Sequence, residues 1–337
     1  MKRFLWCIIV FSFNLLFSQG KRNIVFSEYE DSLKYFMTLM FNAPYDMERL
    51  KAHDEFRKYL VKTLQNEKVF EIAFDSIPVL YPLMSLDKSF MIVTYGFPLE
   101  DDAIYEIHGF MVLRGKPNRI IELQNVRKSI QDNPEYITLK NGQWYGAVYF
   151  QLIEKKYKKD KYYLLIGWNG EDPYYREKII ETLGFDSRGL PVFGKNYFRG
   201  KGYAKKKRII LRYSPTASVV ARYQSITYKN IDVIRKEKGS AFRKKSAIDT
   251  RAQQGWKKKI KVKEITEELV VFDNLEPVSK EFEGFYSFYF PRDDRMNGLR
   301  FNKGKWEHVI LTNVVVEKNT KKVNDGLAPP GWKFPWQ

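Results

Sequence analysis

The chain has 337 residues, of which 44% are apolar and 16% aromatic, and it carries a formal net charge of +18. This apolar content excludes an intrinsically disordered protein and is sufficient for a sizeable hydrophobic core. One cysteine and three histidines leave little material for metal or thiol chemistry.

The N-terminus has the pattern of a secretory signal peptide. Lys2 and Arg3 precede an apolar run over residues 4–17, and the chain turns polar at residues 18–20. The run is shorter than the ~20 apolar residues that span a bilayer. We predict that residues 1–20 are removed on export. The exported chain then lacks cysteine and any apolar segment long enough to be a transmembrane helix.

The next segment, residues 21–68, has helical periodicity. Apolar side chains recur every three or four residues on both sides of a break at Pro44. We therefore predict a pair of helices between residues 27 and 65, each burying one apolar face.

From residue 69 onward, short runs rich in β-branched and aromatic residues predict β-strands. In the region 69–194 these runs are residues 69–74, 90–95, 104–113, 120–123, 137–139, 144–153 and 162–168. Asn141-Gly142 favours the positive φ angles of a tight hairpin turn. Residues 172–184 have helical spacing and end at a glycine, which predicts one further internal helix.

The C-terminal half continues the β pattern. Its predicted strands are residues 208–213, 218–223, 268–272, 284–290, 299–301 and 306–316. We divide this half into a basic strand and loop segment at 195–263, a C-terminal β region at 264–324 and a tail rich in Pro and Trp at 325–337. The predicted fold class is α+β, with the N-terminal helical pair packed on predominantly antiparallel β-sheets.

Several short motifs carry a resemblance to other proteins. The leader ends in Phe17-Ser18-Gln19, residues 162–170 read YYLLIGWNG, residues 270–277 read VVFDNLEP, and Gly284-Phe285-Tyr286 precedes a late Gly-Lys-Trp. In these motifs the chain resembles a group of uncharacterised exported proteins of the Bacteroidota. The resemblance implies a location in the periplasm or at the cell surface, with the periplasm favoured. The resemblance transfers no catalytic residue. The tripeptides that contain Ser32 and Ser76 match the O-glycosylation pattern of that phylum, so the resemblance implies that these two serines are candidate glycosylation sites.

Positive charge is concentrated between Lys195 and Lys263, where 22 Lys or Arg residues face only three acidic ones. Such a concentrated field attracts polyanions, although a solvated Lys-rich surface is the alternative interpretation. We predict that three basic clusters meet on one side of the fold and, with nearby tryptophans, bind an acidic partner. The predicted partner-binding residues are Lys205, Lys206, Lys207, Arg208, Arg243, Lys244, Lys245, Trp256, Lys257, Lys258, Lys259, Trp332 and Trp336. The two tail tryptophans either pack back on the domain or contact the partner.

Motifs of catalysis are missing from the sequence. The histidines lack the spacing of a helical zinc site, and neither a Gly-x-Ser-x-Gly elbow nor a phosphate-binding glycine loop is present. Carboxylates at residues 100–102 and 171–172 keep one alternative open, a hydrolase acting on envelope glycans. Glu106 and His108 share a strand face and are interpreted as a structural pair.

We therefore expect an exported, non-enzymatic binding or structural component of the cell envelope, without a cofactor or metal. An accessory subunit of an outer-membrane transport or type IX secretion complex would fit this description. Its partner would be an acidic envelope component, with lipopolysaccharide as one candidate. A nucleic-acid-binding protein is the alternative if the chain is not exported.

Overall fold

Two helices begin the fold in the computed structural model, which describes residues 28–311 apart from residues 73, 101–102 and 235–258. Helix α1 spans Glu30–Asn42 and helix α2 spans Asp46–Gln65. They separate at Pro44, because the residue before a proline is forced into the extended conformation that Ala43 adopts. The predicted helical pair is confirmed.

A four-stranded antiparallel sheet, sheet 1, packs against these helices. Its strands, numbered in chain order, are β1 (Tyr81–Met84), β2 (Phe90–Leu99), β3 (Ile104–Leu113) and β4 (Arg119–Glu122), and they neighbour one another in that order. Every residue of β2 is buried, because one face packs on the helices and the other on the next sheet. Sheet 1 is therefore an inner layer.

Sheet 2 is the next layer. A short parallel pair, β5 (Gln124–Asn125) and β6 (Gln143–Trp144), precedes it in the chain. The strands of sheet 2 are β7 (Val148–Tyr157), β8 (Asp160–Asn169), β9 (Arg176–Phe185), β10 (Pro191–Phe193) and β12 (Arg208–Tyr213), all antiparallel. One apolar cluster joins it to sheet 1 and a second joins it to the third sheet, so its central strands are buried on both faces.

Sheet 3 forms the outer layer on the other side of sheet 2. Its strands are β11 (Phe198–Arg199), β13 (Ala221–Ile234), β14 (Lys259–Pro277), β15 (Tyr289–Asn302) and β16 (Lys305–Leu311), in the order β11-β16-β15-β14-β13. Only the short β11 runs parallel to its neighbour. The α+β class with predominantly antiparallel sheets is confirmed.

The predicted internal helix at residues 172–184 is wrong, because Arg176–Phe185 forms strand β9 between β8 and β12. Layers cover both faces of this strand, so apolar residues on both faces are buried and a helix-like spacing arises by coincidence. The polar residues Glu177, Lys178, Glu181 and Thr182 of β9 are also buried. Burial on two faces therefore replaced the alternation by which a strand is normally recognised.

Three smaller predictions also need correction. Residues 69–74 contain a short 3-10 helix, Val69–Glu71, in place of a strand, and residues 286–288 form another before β15. Asn141 and Gly142 do adopt positive φ angles of 56° and 83°. The segments on either side of them do not pair with each other, because Leu139 pairs with Phe193 and β6 pairs with β5.

Candidate docking site

The first predicted basic cluster, Lys205–Arg208, lies where β11 connects to β12. Arg208 is fully buried, and its Nε donates a hydrogen bond to Glu181 Oε1 at 2.5 Å. Lys206 lies 2.6 Å from a carboxylate oxygen of Glu135 and also covers the ring of Tyr203. Arg208 is therefore part of the interior of the fold and cannot contact a docked partner, which corrects its predicted role.

Ion pairs neutralise further cations of the basic segment within the body of the fold. Arg199 pairs with Glu307 at 2.6 Å, and Arg212 pairs with Glu177 at 2.9 Å. The cations of this part without an ion pair to a described acid include the exposed Lys201 and Lys205. The high positive charge counted along the sequence is thus partly balanced in space by acids from distant elements.

Residues 235–258, here called the basic connection, join β13 to β14. The two strands pair continuously from Ala221 opposite Phe272 to Ile234 opposite Lys259. Strand β15 joins β14 only from Val270 onward, so the part of the hairpin that leads to the basic connection is two-stranded. The basic connection holds nine Lys or Arg and two acidic residues, a net charge of +7.

Most of the predicted partner-binding residues lie outside the described residues. Six of them belong to the basic connection: Arg243, Lys244, Lys245, Trp256, Lys257 and Lys258. Trp332 and Trp336 lie in the segment that follows β16, also outside the described part. Lys259 is the first residue of β14, and its backbone pairs with that of Ile234.

The expected convergence of the three clusters is wrong for Lys205–Arg208. The ring of Tyr203, beside this cluster, lies 6.5 Å from that of Phe272. Lys259 lies thirteen residues from Phe272 on the same strand, which is about 40 Å at ~3.3 Å per residue. The first cluster and Lys259 therefore lie at opposite ends of the β13–β14 hairpin.

Two buried carboxylates on β9 form a polar network that the sequence analysis missed. Glu177 and Glu181 lie four residues apart, so they share one face of the strand, directly opposite Arg212 and Arg208 of β12. The hydroxyl of Tyr145 lies 3.1 Å from both Glu177 oxygens. The matched spacing of two glutamates on one strand and two arginines on its neighbour is the signal that could have revealed this network.

This network is built to hold strands together. Tyr149 of β7 donates a hydrogen bond to Glu181, and Arg127 pairs with Glu177. Burial and the charge of Glu177 raise the pKa of Tyr145, so its hydroxyl stays protonated and donates. Each carboxylate is therefore surrounded by donors from several elements, as buried charges require.

Glu171 and Asp172, two of the carboxylates of the hydrolase alternative, serve local structure. Glu171 accepts hydrogen bonds from the amide groups of Asn125 at 2.8 Å and Asn169 at 2.9 Å, and burial raises its pKa. Asp172 accepts a hydrogen bond from the backbone N–H of Tyr174. Residues 101–102 lie outside the described part. This arrangement gives the hydrolase alternative no support.

His53 of α2 and His108 of β3 stack with ring centroids 4.1 Å apart, a pair that the sequence analysis did not anticipate. Burial lowers the pKa of His53 to about 4 and that of His108 to about 3. Both imidazoles are therefore neutral at neutral pH. The predicted neighbour Glu106 lies 3.6 Å from His108 Nε2. In the described part of the chain, no group of three or more His, Cys, Asp or Glu side chains is placed to hold a metal ion.

Comparison of this chain with protein-family models, curated proteins and solved structures finds no match. A search of the described helices for one that combines sufficient length and apolarity to cross a membrane also finds none.

Proposed function

We propose that the protein is an exported, non-enzymatic binding component of the bacterial cell envelope that docks an acidic partner through its basic connection. One contrast supports this proposal. Arg199, Lys206 and Arg208 are each ion-paired within the fold. The basic connection, by comparison, has a net charge of +7 within 24 residues.

The attachment of the basic connection also favours docking. Both of its ends leave from the same end of a two-stranded hairpin, away from the strands that bury the core. A dense positive segment at such a site attracts polyanions over a Debye length of ~8–10 Å at physiological salt. Individual exposed ion pairs contribute only ~0–1 kcal/mol, so affinity requires many of them to act together.

The envelope location is supported by the signal-peptide pattern of residues 1–20 and by the resemblance to exported proteins of the Bacteroidota. Within that location the periplasm is the compartment we propose, and an accessory role in an outer-membrane transport or type IX secretion complex fits it. The acidic component could then be the phosphorylated headgroup of lipopolysaccharide or the acidic rim of a protein complex. The same cations would bind either partner.

A matched pair of triple variants tests this proposal. The first variant replaces Lys257, Lys258 and Lys259 with Ser, and the control replaces Lys201, Lys205 and Lys207 with Ser. Both variants lose three positive charges, but only the first changes the basic connection and its junction with β14. Binding to lipopolysaccharide vesicles and to native envelope membranes is measured at 0.05 M and 0.5 M salt.

We expect the first variant to bind about 100-fold more weakly at low salt, since each Lys contributes about 1 kcal/mol near an anionic surface. The control should bind within about threefold of wild type, and high salt should weaken wild-type binding steeply. Binding to membranes but not to lipopolysaccharide vesicles would identify a protein partner. Equal losses in the two variants, or no salt-sensitive binding by wild type, would contradict the proposal.

A further inference from the structure

The loop between β14 and β15, residues 278–288, exposes an unusual amount of apolar surface. Val278, Phe285 and Phe288 are 59%, 62% and 40% exposed. The ring of Phe282 stacks on that of Phe288 with centroids 4.1 Å apart. We call residues 278–288 the aromatic loop. Clustered exposed aromatic side chains mark interaction sites, since burying such surface is favourable.

The aromatic loop is held in one conformation by its own hydrogen bonds. The backbone N–H of Val278 donates to the carbonyl of Phe288 across the base of the loop. Two short 3-10 turns, Lys280–Phe282 and Tyr286–Phe288, organise the chain between them. The backbone N–H of Gly284 also donates to the hydroxyl of Tyr289. A preorganised loop loses little conformational entropy when it binds, which favours a docking role.

Strand β16 is directed toward this loop where the described part of the chain ends. Strand β16 runs antiparallel to β15 and ends at Leu311, opposite Met296. At Leu311 the strand is therefore directed toward Tyr289, where β15 begins and the aromatic loop ends. Met296 and Tyr289 pair with Asp273 and Pro277 of β14, so despite a bulge in β15 the distance is four residues along the sheet, or about 13 Å. Twenty residues separate Leu311 from Trp332, which is ample length to cover it.

The sequence of that C-terminal segment has the chemistry to occupy the aromatic loop. Residues 329–336 read PPGWKFPW, a proline-rich stretch with three aromatic side chains around Lys333. Proline-rich segments favour the extended polyproline II helix and dock on aromatic surfaces at low entropic cost. The aromatic loop also carries the exposed acids Glu281 and Glu283 and one exposed cation, Lys280, so its net negative charge complements Lys333.

From these observations we infer that the chain's own residues 329–336 dock on the aromatic loop in the same molecule. The contact places the prolines and tryptophans against Phe285 and Phe288, and Lys333 beside the acids of the loop. It assigns Trp332 and Trp336 an intramolecular role in place of direct contact with the acidic partner. It does not depend on the basic connection.

Disulfide trapping tests the contact in the full chain. In a Cys7→Ser background, which has no other cysteine, Val278→Cys is combined with Gly331→Cys. The control combines Gly331→Cys with Leu86→Cys, an 81% exposed apolar residue in the turn between β1 and β2. Each protein is oxidised at low concentration, and monomeric and dimeric disulfides are separated by non-reducing electrophoresis. Phe285→Ser is then added to the first pair.

We expect the Val278–Gly331 pair to form a monomeric disulfide at least tenfold faster than the control pair. Phe285→Ser should slow this reaction at least fivefold, and the protein should still unfold cooperatively because the Phe285 side chain is 62% exposed. Equal rates for the two pairs, or no effect of Phe285→Ser, would overturn the inference. A predominance of disulfide-linked dimers would also overturn it and would identify a second copy of the chain as the occupant.

Discussion

Acidification from pH 7 to pH 5 should destabilise the protein through the stacked imidazoles of His53 and His108. The pair lies where α2 packs on sheet 1, with ring centroids 4.1 Å apart. His53 Nε2 lies 3.1 Å from the hydroxyl of Tyr95, and His108 Nε2 is buried without a hydrogen-bond partner. The charged groups around the pair are Asp54, Glu106 and the ion pair of Arg57 with Glu122.

The sign and size of the effect follow from the two pKa values. Burial lowers them from 6.5 to about 4 for His53 and about 3 for His108. The stabilisation is therefore complete above about pH 6.5 and is lost as the pH falls toward the folded-state values. At pH 5, ~1.5 pH units below the ordinary histidine pKa, protonation of each histidine stabilises the unfolded chain by about 1.36 kcal/mol per pH unit. The free energy of unfolding therefore falls by about 4 kcal/mol for the pair.

Urea unfolding at pH 7, 6 and 5, followed by the fluorescence of the buried tryptophans, measures this loss. His53→Gln and His108→Gln should each remove about half of the pH dependence, and the double variant should remove most of it. The matched control is His308→Gln. His308 stacks on Tyr203 in sheet 3, far from α2. Burial also lowers the pKa of His308, so the control should remove a smaller share.

The reasoning would be refuted if the double variant lost as much stability between pH 7 and pH 5 as wild type. A direct check is the titration of the His53 and His108 ring signals by NMR in the folded protein. Ordinary pKa values near 6.5 for both rings would show that burial does not hold them neutral.

Three further predictions concern the interior and the leader. Glu181→Gln should cost about 3–5 kcal/mol in urea unfolding because it leaves the charge of Arg208 buried, whereas Glu181→Leu with Arg208→Met and Tyr149→Phe should recover most of this loss, since both buried partners of the carboxylate are then apolar. Gly109→Ala should cost about 1–3 kcal/mol, since its methyl group would lie 2.9 Å from the buried ring of Trp144; an unchanged unfolding midpoint would contradict the packing. Mass spectrometry of envelope-derived protein should find an N-terminus within residues 18–21, and an intact leader would contradict export.

The sequence predicted the elements that show a helical period or a run of β-branched and aromatic residues. The helices α1 and α2 show the helical period because one side of each faces sheet 1 and the other faces solvent. Strand β3 was also predicted at its observed bounds, Ile104–Leu113. Strand β9 was missed because buried polar residues, among them Glu177 and Glu181, interrupt its apolar run and leave a helix-like spacing.

The candidate site was only partly predictable for a related reason. The charges along a sequence can be counted, but the ion pairs that they form in the fold cannot be derived from that count. Arg208 and Lys206 lie in one basic run, yet the fold places Glu181 and Glu135 beside them. Only the strand register reveals that these cations are already neutralised, and that the run lies far from Lys259.

Replacing the basic connection with a two-residue turn tests the docking proposal most directly. Because Ile234 and Lys259 are opposite each other, an Asn-Gly turn can join them and leave the paired strands intact. We predict that this variant unfolds at the same temperature as wild type but no longer binds native envelope membranes at low salt. Full, salt-sensitive binding by the shortened protein would contradict the proposal.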